Sequence, residues 1–238
     1  MPIIDVAFEL RFEPSSPSAS ELILGMIFKD LGTDLPNVAI LPQASFPIEM
    51  IQSVPQLQYQ PQRLMTGEQF QVALGPKVLA VLCKRPYPGW HLFKPIVRRV
   101  LDSLRDTEQV RRVERFSIKY RNVIESSSDH DQLQMLNVQL DVADLGFLDK
   151  SALLRVETST DLFDNLIGIQ THVEAKIDDS NEIIRGVLVD VDTIYQKDLS
   201  DYWSAADALL EQAHETEKQV FFAILKPDTI EALKPVWE

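Results

Sequence analysis

The chain has 238 residues, and 45% of them are hydrophobic, so it holds enough apolar material for one large domain or two small ones. Its 23 basic and 36 acidic residues give a net charge of −13, which disfavours general binding to nucleic acid and to anionic membranes. The single cysteine, Cys83, excludes an intrachain disulfide and a cysteine-rich zinc site, and we expect it to be a small core residue.

The sequence carries no pattern of export or of membrane insertion. No apolar run approaches the roughly 20 residues that a membrane-spanning helix needs. The first residues read as a strand rather than as the basic and apolar regions of a signal peptide. We therefore expect a cytoplasmic protein without a membrane partner.

Residues 3–12 alternate between apolar and polar side chains, which predicts a strand with one buried face and one solvated face. On the solvated face we expect Asp5, Glu9 and Arg11. Residues 18–31 follow with apolar positions at helical spacing and predict an amphipathic helix.

The remainder of the first half predicts broken strands, a hairpin and a second helix. Five prolines between residues 35 and 66 indicate short or edge strands, because proline cannot donate a hydrogen bond to a ladder. Residues 70–74 and 78–84 flank Gly75-Pro76 and predict a hairpin. Residues 89–104 carry apolar residues at helical spacing and predict a long helix.

Residues 111–125, at the middle of the chain, repeat the alternation of the opening strand. The positions expected to face the core are Phe116, Ile118, Tyr120 and Ile124. The positions expected to face solvent include Arg115, Lys119 and Arg121. The pattern therefore predicts a second half-buried strand with a basic outer face.

The second half predicts several more strands and a closing helix. The predicted strands cover residues 133–140, 152–158, 167–177 and 183–195. Residues 178–181 read as a hairpin loop. A long helix then runs to Pro227, and we expect His214 to pack near its apolar stripe.

Both halves begin with a long alternating strand, continue with shorter strands and close with a long amphipathic helix. This shared order predicts an α+β protein of two similar units, residues 1–110 and 111–238, each of antiparallel sheet packed on long helices. Two such units can join edge to edge into one curved sheet, and that arrangement would resemble the TATA-binding-protein fold.

Four segments resemble, in the same order, the landmarks of one prokaryotic family of similar length, described as sporadically distributed proteins of unknown function. The segments are residues 2–12, 111–125, 186–199 and 213–238. The middle landmark in that family reads Arg-Tyr-x-Asn, and here Lys119, Tyr120, Arg121 and Asn122 occupy its positions. The resemblance implies no catalytic residue, and a patchy distribution would suit an accessory or defence-locus component.

The solvated face of the predicted sheet is the candidate binding surface. The candidates for contact with a ligand or partner are Arg11, Arg115, Lys119, Arg121, Arg155, His172 and Glu174. A basic cluster on adjacent strands suits an anionic ligand or an acidic partner segment. The alternative is an ordinary solvent face, on which opposite charges pair across neighbouring strands.

Catalytic signals are weak. His172 and Glu174 are two residues apart on a predicted strand and would share a face, and Asp190-Val191-Asp192 offers two carboxylates, but no third metal ligand stands at recognisable spacing. The sequence contains no glycine-rich phosphate loop and no G-x-S-x-G, H-E-x-x-H or C-x-x-C motif. We expect no cofactor and no metal.

Three hypotheses follow from these patterns. The leading one is a non-enzymatic interaction protein whose partner is another protein, with a homodimer as a further option and nucleic acid disfavoured. The second is a binder of a small anionic ligand or nucleotide on the charged sheet face. The third is a metal-dependent hydrolase around His172, Glu174, Asp190 and Asp192.

Overall fold

A computed structural model describes residues 2–126, 128, 132–140, 143, 151–176 and 183–235. The strands are β1 Ile3–Pro14, β2 Asn37–Ile40, β3 Arg63–Thr66, β4 Phe70–Leu74, β5 Val78–Cys83, β6 Val110–Glu125, β7 Leu153–Ser159, β8 Asp164–Lys176 and β9 Ile183–Tyr195. The helices are α1 Ala19–Leu31, α2 Ile48–Ser53, α3 Trp90–Asp106, α4 Tyr202–Ile224 and α5 Pro227–Leu233. Short 3₁₀ turns cover Pro42–Ser45, Pro55–Tyr59 and Gln132–Met135.

Within this part of the chain the strands form a single antiparallel sheet of nine strands, in the order β2-β3-β4-β5-β1-β6-β9-β8-β7. The predicted α+β class is confirmed. The arrangement differs from the prediction, because one continuous sheet replaces two units each packed on its own long helices. The strands of the first half lie on one side of the β1–β6 pair, and those of the second half lie on the other.

The alternation of β1 and β6 decides which face of the sheet is buried. Phe8 lies opposite Ile118 and Leu10 lies opposite Phe116, and all four side chains are buried. They join one apolar cluster with side chains from α1, α3 and α4, so these helices cover this face. Each fully buried side chain of this kind contributes about 1.5–3 kcal/mol to stability. The opposite face keeps the charged positions, as the parity predicted.

A second apolar cluster lies beneath the other half of the sheet. It contains Val187, Val189 and Val191 of β9 together with Phe221 and Leu225. Helix α4 therefore crosses from one cluster to the other, because its earlier residues, including Leu210 and Ala213, belong to the first. This helix ties the two halves of the sheet together.

Most predicted elements match the observed ones. The hairpin at Gly75, the helix after Gly89 and the burial of Cys83 are confirmed. The strand predicted over residues 133–140 is wrong, since this region contains a 3₁₀ turn and one isolated bridge between Leu136 and Leu225. The predicted loop at residues 178–181 lies outside the described residues.

None of the described helices combines the length and the apolar composition that crossing a membrane requires.

The β6–β9 pairing yields a test at Gly186, which lies opposite Glu125. A Cβ at Gly186 would lie 1.9 Å from the carbonyl oxygen of Ile124, so any side chain there must push the strands apart. We expect Gly186→Ala to lower the free energy of unfolding by more than about 1 kcal/mol in urea denaturation.

The matched control is Gly25→Ala in α1, where a Cβ would meet nothing within 4 Å. Alanine favours the helix there by up to about 1 kcal/mol, so this variant should be as stable as the wild type or more stable. Equal stability of the two variants would contradict the close approach of β6 and β9.

Candidate functional site

The charged face of the sheet lies opposite the helices, and its basic side chains are paired with acids. Lys119 Nζ lies 2.9 Å from Asp190 Oδ2, and Arg121 makes an ion pair with Asp5. Contacts of this kind are worth about 0.2–1 kcal/mol each. The structure therefore places Lys119 and Arg121 on one face, as predicted, but with their charges already compensated.

Two arginines lie directly opposite each other on β1 and β6, and acids separate their charges. Arg11 faces Arg115 in the register, and Glu9 Oε1 lies 2.8 Å from Arg11 Nε and 3.6 Å from Arg115 Nη2. Asp192 Oδ2 approaches Arg115 Nη2 at 3.6 Å from the other side. Burial raises the pKa of Asp192, and the positive charge of Arg115 opposes that shift. The four groups form a half-buried ionic cluster.

Tyr59 covers one end of this ionic cluster. The guanidinium of Arg11 lies 4.6 Å from the centre of the Tyr59 ring, and the Tyr59 hydroxyl donates to Glu114 Oε2 at 2.9 Å. Burial and the hydrogen bond to Glu114 raise the pKa of Tyr59. The proline-punctuated segment before β3 thus reaches the charged face, which the sequence pattern did not predict.

The other predicted candidates lie apart from this cluster. Arg155 is on β7, three strands from Arg121 along the same row of the sheet, which is about 14 Å. His172 has φ +55° in a bulge of β8, so the alternation that placed it beside Glu174 is interrupted. Glu174 instead pairs with Arg185 at 2.7 Å.

A metal site receives no support from the described residues, since none of them form a group of three or more His, Cys, Asp or Glu side chains that could hold an ion. Asp190 and Asp192 share the outer face of the sheet, but Lys119 makes an ion pair with Asp190 and Arg115 makes one with Asp192, so cations already neutralise both carboxylates. His130 lies outside the described residues.

A different site lies on the helix side of the sheet, where a pocket of about 200 Å³ opens between α4, the start of α3 and strands β1 and β6. We call it the Glu217 pocket. Its lining includes Trp90, Tyr120, Asn122, His214, Glu217 and Phe221. The last three lie at helical spacing on α4, so one face of that helix forms one wall. Most of the lining is aromatic or apolar, as in many small-molecule sites.

A chain of contacts holds the aromatic wall of the pocket in place. The Tyr87 and Tyr120 hydroxyls lie 2.8 Å apart, and the Tyr120 hydroxyl lies 3.2 Å from His214 Nδ1. The Trp90 ring stacks on His214 with centroids 4.1 Å apart, and its Nε1 donates to the Glu211 carboxylate at 3.2 Å. The wall is therefore formed before any ligand arrives.

Glu217 is the polar group that this wall does not satisfy. Glu217 is among the residues that line the pocket, it is 4% exposed, and its buried Oε1 has no hydrogen-bond partner among the described residues. Burial, with a further contribution from the Asp190 carboxylate, raises the pKa of Glu217 well above its ordinary value. A buried carboxyl without a partner is costly, and such groups concentrate at binding and catalytic sites.

The sequence contained a signal for this site. His214 does pack, as predicted, but against Trp90, and it also contacts the Tyr120 hydroxyl. Glu217 stands four residues after Ala213 and four before Phe221, which makes it a carboxyl within the apolar stripe of α4. A charged residue at such a position points either to a buried partner or to a ligand.

The raised pKa of Glu217 gives a prediction on stability against pH. The native state keeps this proton at pH values where the unfolded chain has lost it, so Glu217 lowers stability progressively as pH rises above about 4.5 toward the raised pKa. Glu217→Gln removes the titrating group. We expect the free energy of unfolding of this variant to be about 1–3 kcal/mol higher than that of the wild type near pH 8 and nearly equal to it near pH 4.

Urea denaturation across this pH range measures the difference. Glu215→Gln, on the exposed side of the same helix, should leave the pH dependence of the wild type unchanged. A difference between Glu217→Gln and the wild type that does not grow with pH would show that Glu217 is not buried as described.

Comparison with known proteins adds no relative. No protein-family model matches the chain, and no curated protein is similar to it. The resemblance to the sporadically distributed prokaryotic family therefore stays a prediction.

Proposed function

We propose that this protein is a non-enzymatic binding protein and that its ligand is a small molecule held in the Glu217 pocket. The observation that carries the proposal is that Glu217, one of the residues lining an aromatic pocket, has a buried Oε1 without a hydrogen-bond partner among the described residues. A ligand that donates a hydrogen bond to this oxygen would satisfy it. The fixed contacts of Trp90, His214 and Tyr120 would then hold the ligand's apolar body.

The chemistry of the pocket favours a compact organic amine. An amine would accept the proton that the buried Glu217 holds, and the resulting ammonium would pair with the carboxylate. Lys218 and Lys234 also line the pocket, so the amine would have to approach Glu217 from the side of Trp90 and Tyr120. A net charge of −13 also attracts cations over long range. The pocket volume of about 200 Å³ is below the roughly 300–1,000 Å³ typical of pockets for drug-sized ligands, which limits the ligand to a small molecule.

The sheet face receives less support as a ligand site. Arg115, Lys119 and Arg121 are each paired with a carboxylate, so an anionic ligand would have to displace those partners. The predicted protein partner, accessory or defence role and metal-dependent hydrolase remain hypotheses.

We also propose that the mirrored strand order around β1 and β6 arose from two similar units, in a sheet resembling the TATA-binding-protein fold.

A thermal-shift screen tests the function. The panel should contain small aromatic and aliphatic amines, the matching carboxylates and alcohols, nucleotides and divalent metal ions. We expect the amines to raise the melting temperature of the wild type, because a ligand at 100 times its Kd stabilises the native state by about 2.7 kcal/mol. Glu217→Gln should abolish that rise, whereas Glu174→Gln, in an ion pair on β8, should keep it.

The other classes of ligand separate the alternatives. A rise caused by carboxylates or nucleotides and lost in Arg121→Ala would place the site on the sheet face. A rise caused by divalent metal ions and lost in Asp190→Ala would favour the hydrolase. Amines that fail to raise the melting temperature of the wild type, at concentrations up to the millimolar range, would contradict the proposed function.

A further inference from the structure

Strand β7 ends the sheet, and its outer edge is exposed. Within the described part of the chain it pairs with β8 alone. Leu153 is 77% exposed and Val156 is 46% exposed. Such an edge presents unpaired backbone groups beside apolar side chains, and proteins normally cover it or block it. The opposite edge, β2, has only four residues, and a short edge strand is one of those blocks.

The charged side chains of β7 lie on one face, which Leu153 shares, and Leu154 and Val156 lie on the other. Arg155 lies opposite Gly168 and Glu157 lies opposite Leu166, so both project to the charged face of the sheet. Arg155 Nη2 is 4.0 Å from Glu157 Oε1, and the two side chains are 70% and 79% exposed. Val156 lies between them and projects to the helix side.

We propose that β7 pairs with β7 of a second copy of this chain, antiparallel and about a two-fold axis at Val156, so that two nine-stranded sheets become one. In this register Val156 faces its own counterpart, and Arg155 of each copy faces Glu157 of the other. Each dimer then gains two pairs of opposite charge across the new strand boundary. The contact is isologous, as in most homodimers.

The charges select this register over its neighbours. A two-fold axis perpendicular to the sheet requires one residue of β7 to lie opposite itself, because only then do facing side chains share a face. An axis at Arg155 would place two arginines together, and an axis at Glu157 would place two glutamates together, and both arrangements are destabilising. Val156 is also the midpoint of Leu153–Ser159, so the favoured register pairs all seven residues of the strand.

A single cysteine substitution tests the register directly. Directly opposed residues in an antiparallel pair have Cα atoms about 4.5–5.5 Å apart, which suits a disulfide. Val156→Cys should therefore cross-link to its counterpart under mild oxidation. The native Cys83 does not compete, because it is buried and burial raises its pKa to about 11.

The control for the cysteine test is Leu153→Cys, which is more exposed than Val156. In the proposed register Leu153 faces Ser159, so two copies of residue 153 lie about 20 Å apart and should not cross-link. Cross-linking of Leu153→Cys as efficient as that of Val156→Cys would overturn the proposal.

Charge reversal tests the same register without oxidation. Analytical ultracentrifugation over a wide range of concentrations should show a reversible monomer–dimer equilibrium for the wild type. Arg155→Glu and Glu157→Arg should each weaken the dimer about tenfold or more, because each creates two like-charged pairs. The double variant, with the charges exchanged, should restore the wild-type dissociation constant.

These variants are on an exposed edge, and circular dichroism melts would verify that each remains folded. A wild-type chain that stays monomeric at every concentration would overturn the proposal. A dimer that survives both single reversals would also overturn it, since the interface would then lie elsewhere.

Discussion

The pairing of β1 with β6 is the interaction on which the rest of the structure depends. It joins the two halves of the sheet, and its alternation sends Phe8 and Phe116 inward while Glu9 and Arg115 project outward. The same register places Arg11 opposite Arg115, which would be repulsive without Glu9 between them. The buried apolar face stabilises this pairing, and the acids on the other face reduce the repulsion between Arg11 and Arg115.

Helix α4 is the second constraint, and it explains where the pocket forms. Ala213 packs in the cluster under one half of the sheet, and Phe221 packs in the cluster under the other half. Glu217 lies midway between them, one helical turn from each, where the helix crosses from one core to the next. The two cores do not merge at this point. The pocket lies at this seam, and Trp90, Tyr120, His214 and Glu217 are among the residues that line it.

The strands and their faces could be predicted from the sequence because period-two alternation depends only on neighbours along the chain. Phe116 and Arg115 lie on the expected faces for this reason. Pairing of opposite charges on the outer face was one of the two predicted alternatives, but the individual pairs could not be predicted, because which acid meets Lys119 depends on the order and register of strands far apart in sequence. The bulge at His172 and the placement of Tyr59 over Arg11 have the same origin in tertiary contacts.

Helical periodicity marked Glu217 as out of place in an apolar stripe, but only the packing of α4 shows that nothing among the described residues pairs with it.

The two faces differ as candidate sites in what a ligand would have to displace, although each holds a buried oxygen without a hydrogen-bond partner among the described residues, Asp190 Oδ1 on one and Glu217 Oε1 on the other. On the charged face Lys119 and Asp190 neutralise each other, so a ligand there would first have to break an existing pair. In the pocket a ligand would replace only solvent and would relieve the cost of a buried carboxyl. Sequences that retain such a cost commonly do so at positions where function requires it, because a stabilising substitution as small as Glu217→Gln is accessible to any evolving chain. Glu217 in this apolar setting is a departure of this kind, and this is why we propose the pocket, and not the charged face, as the ligand site.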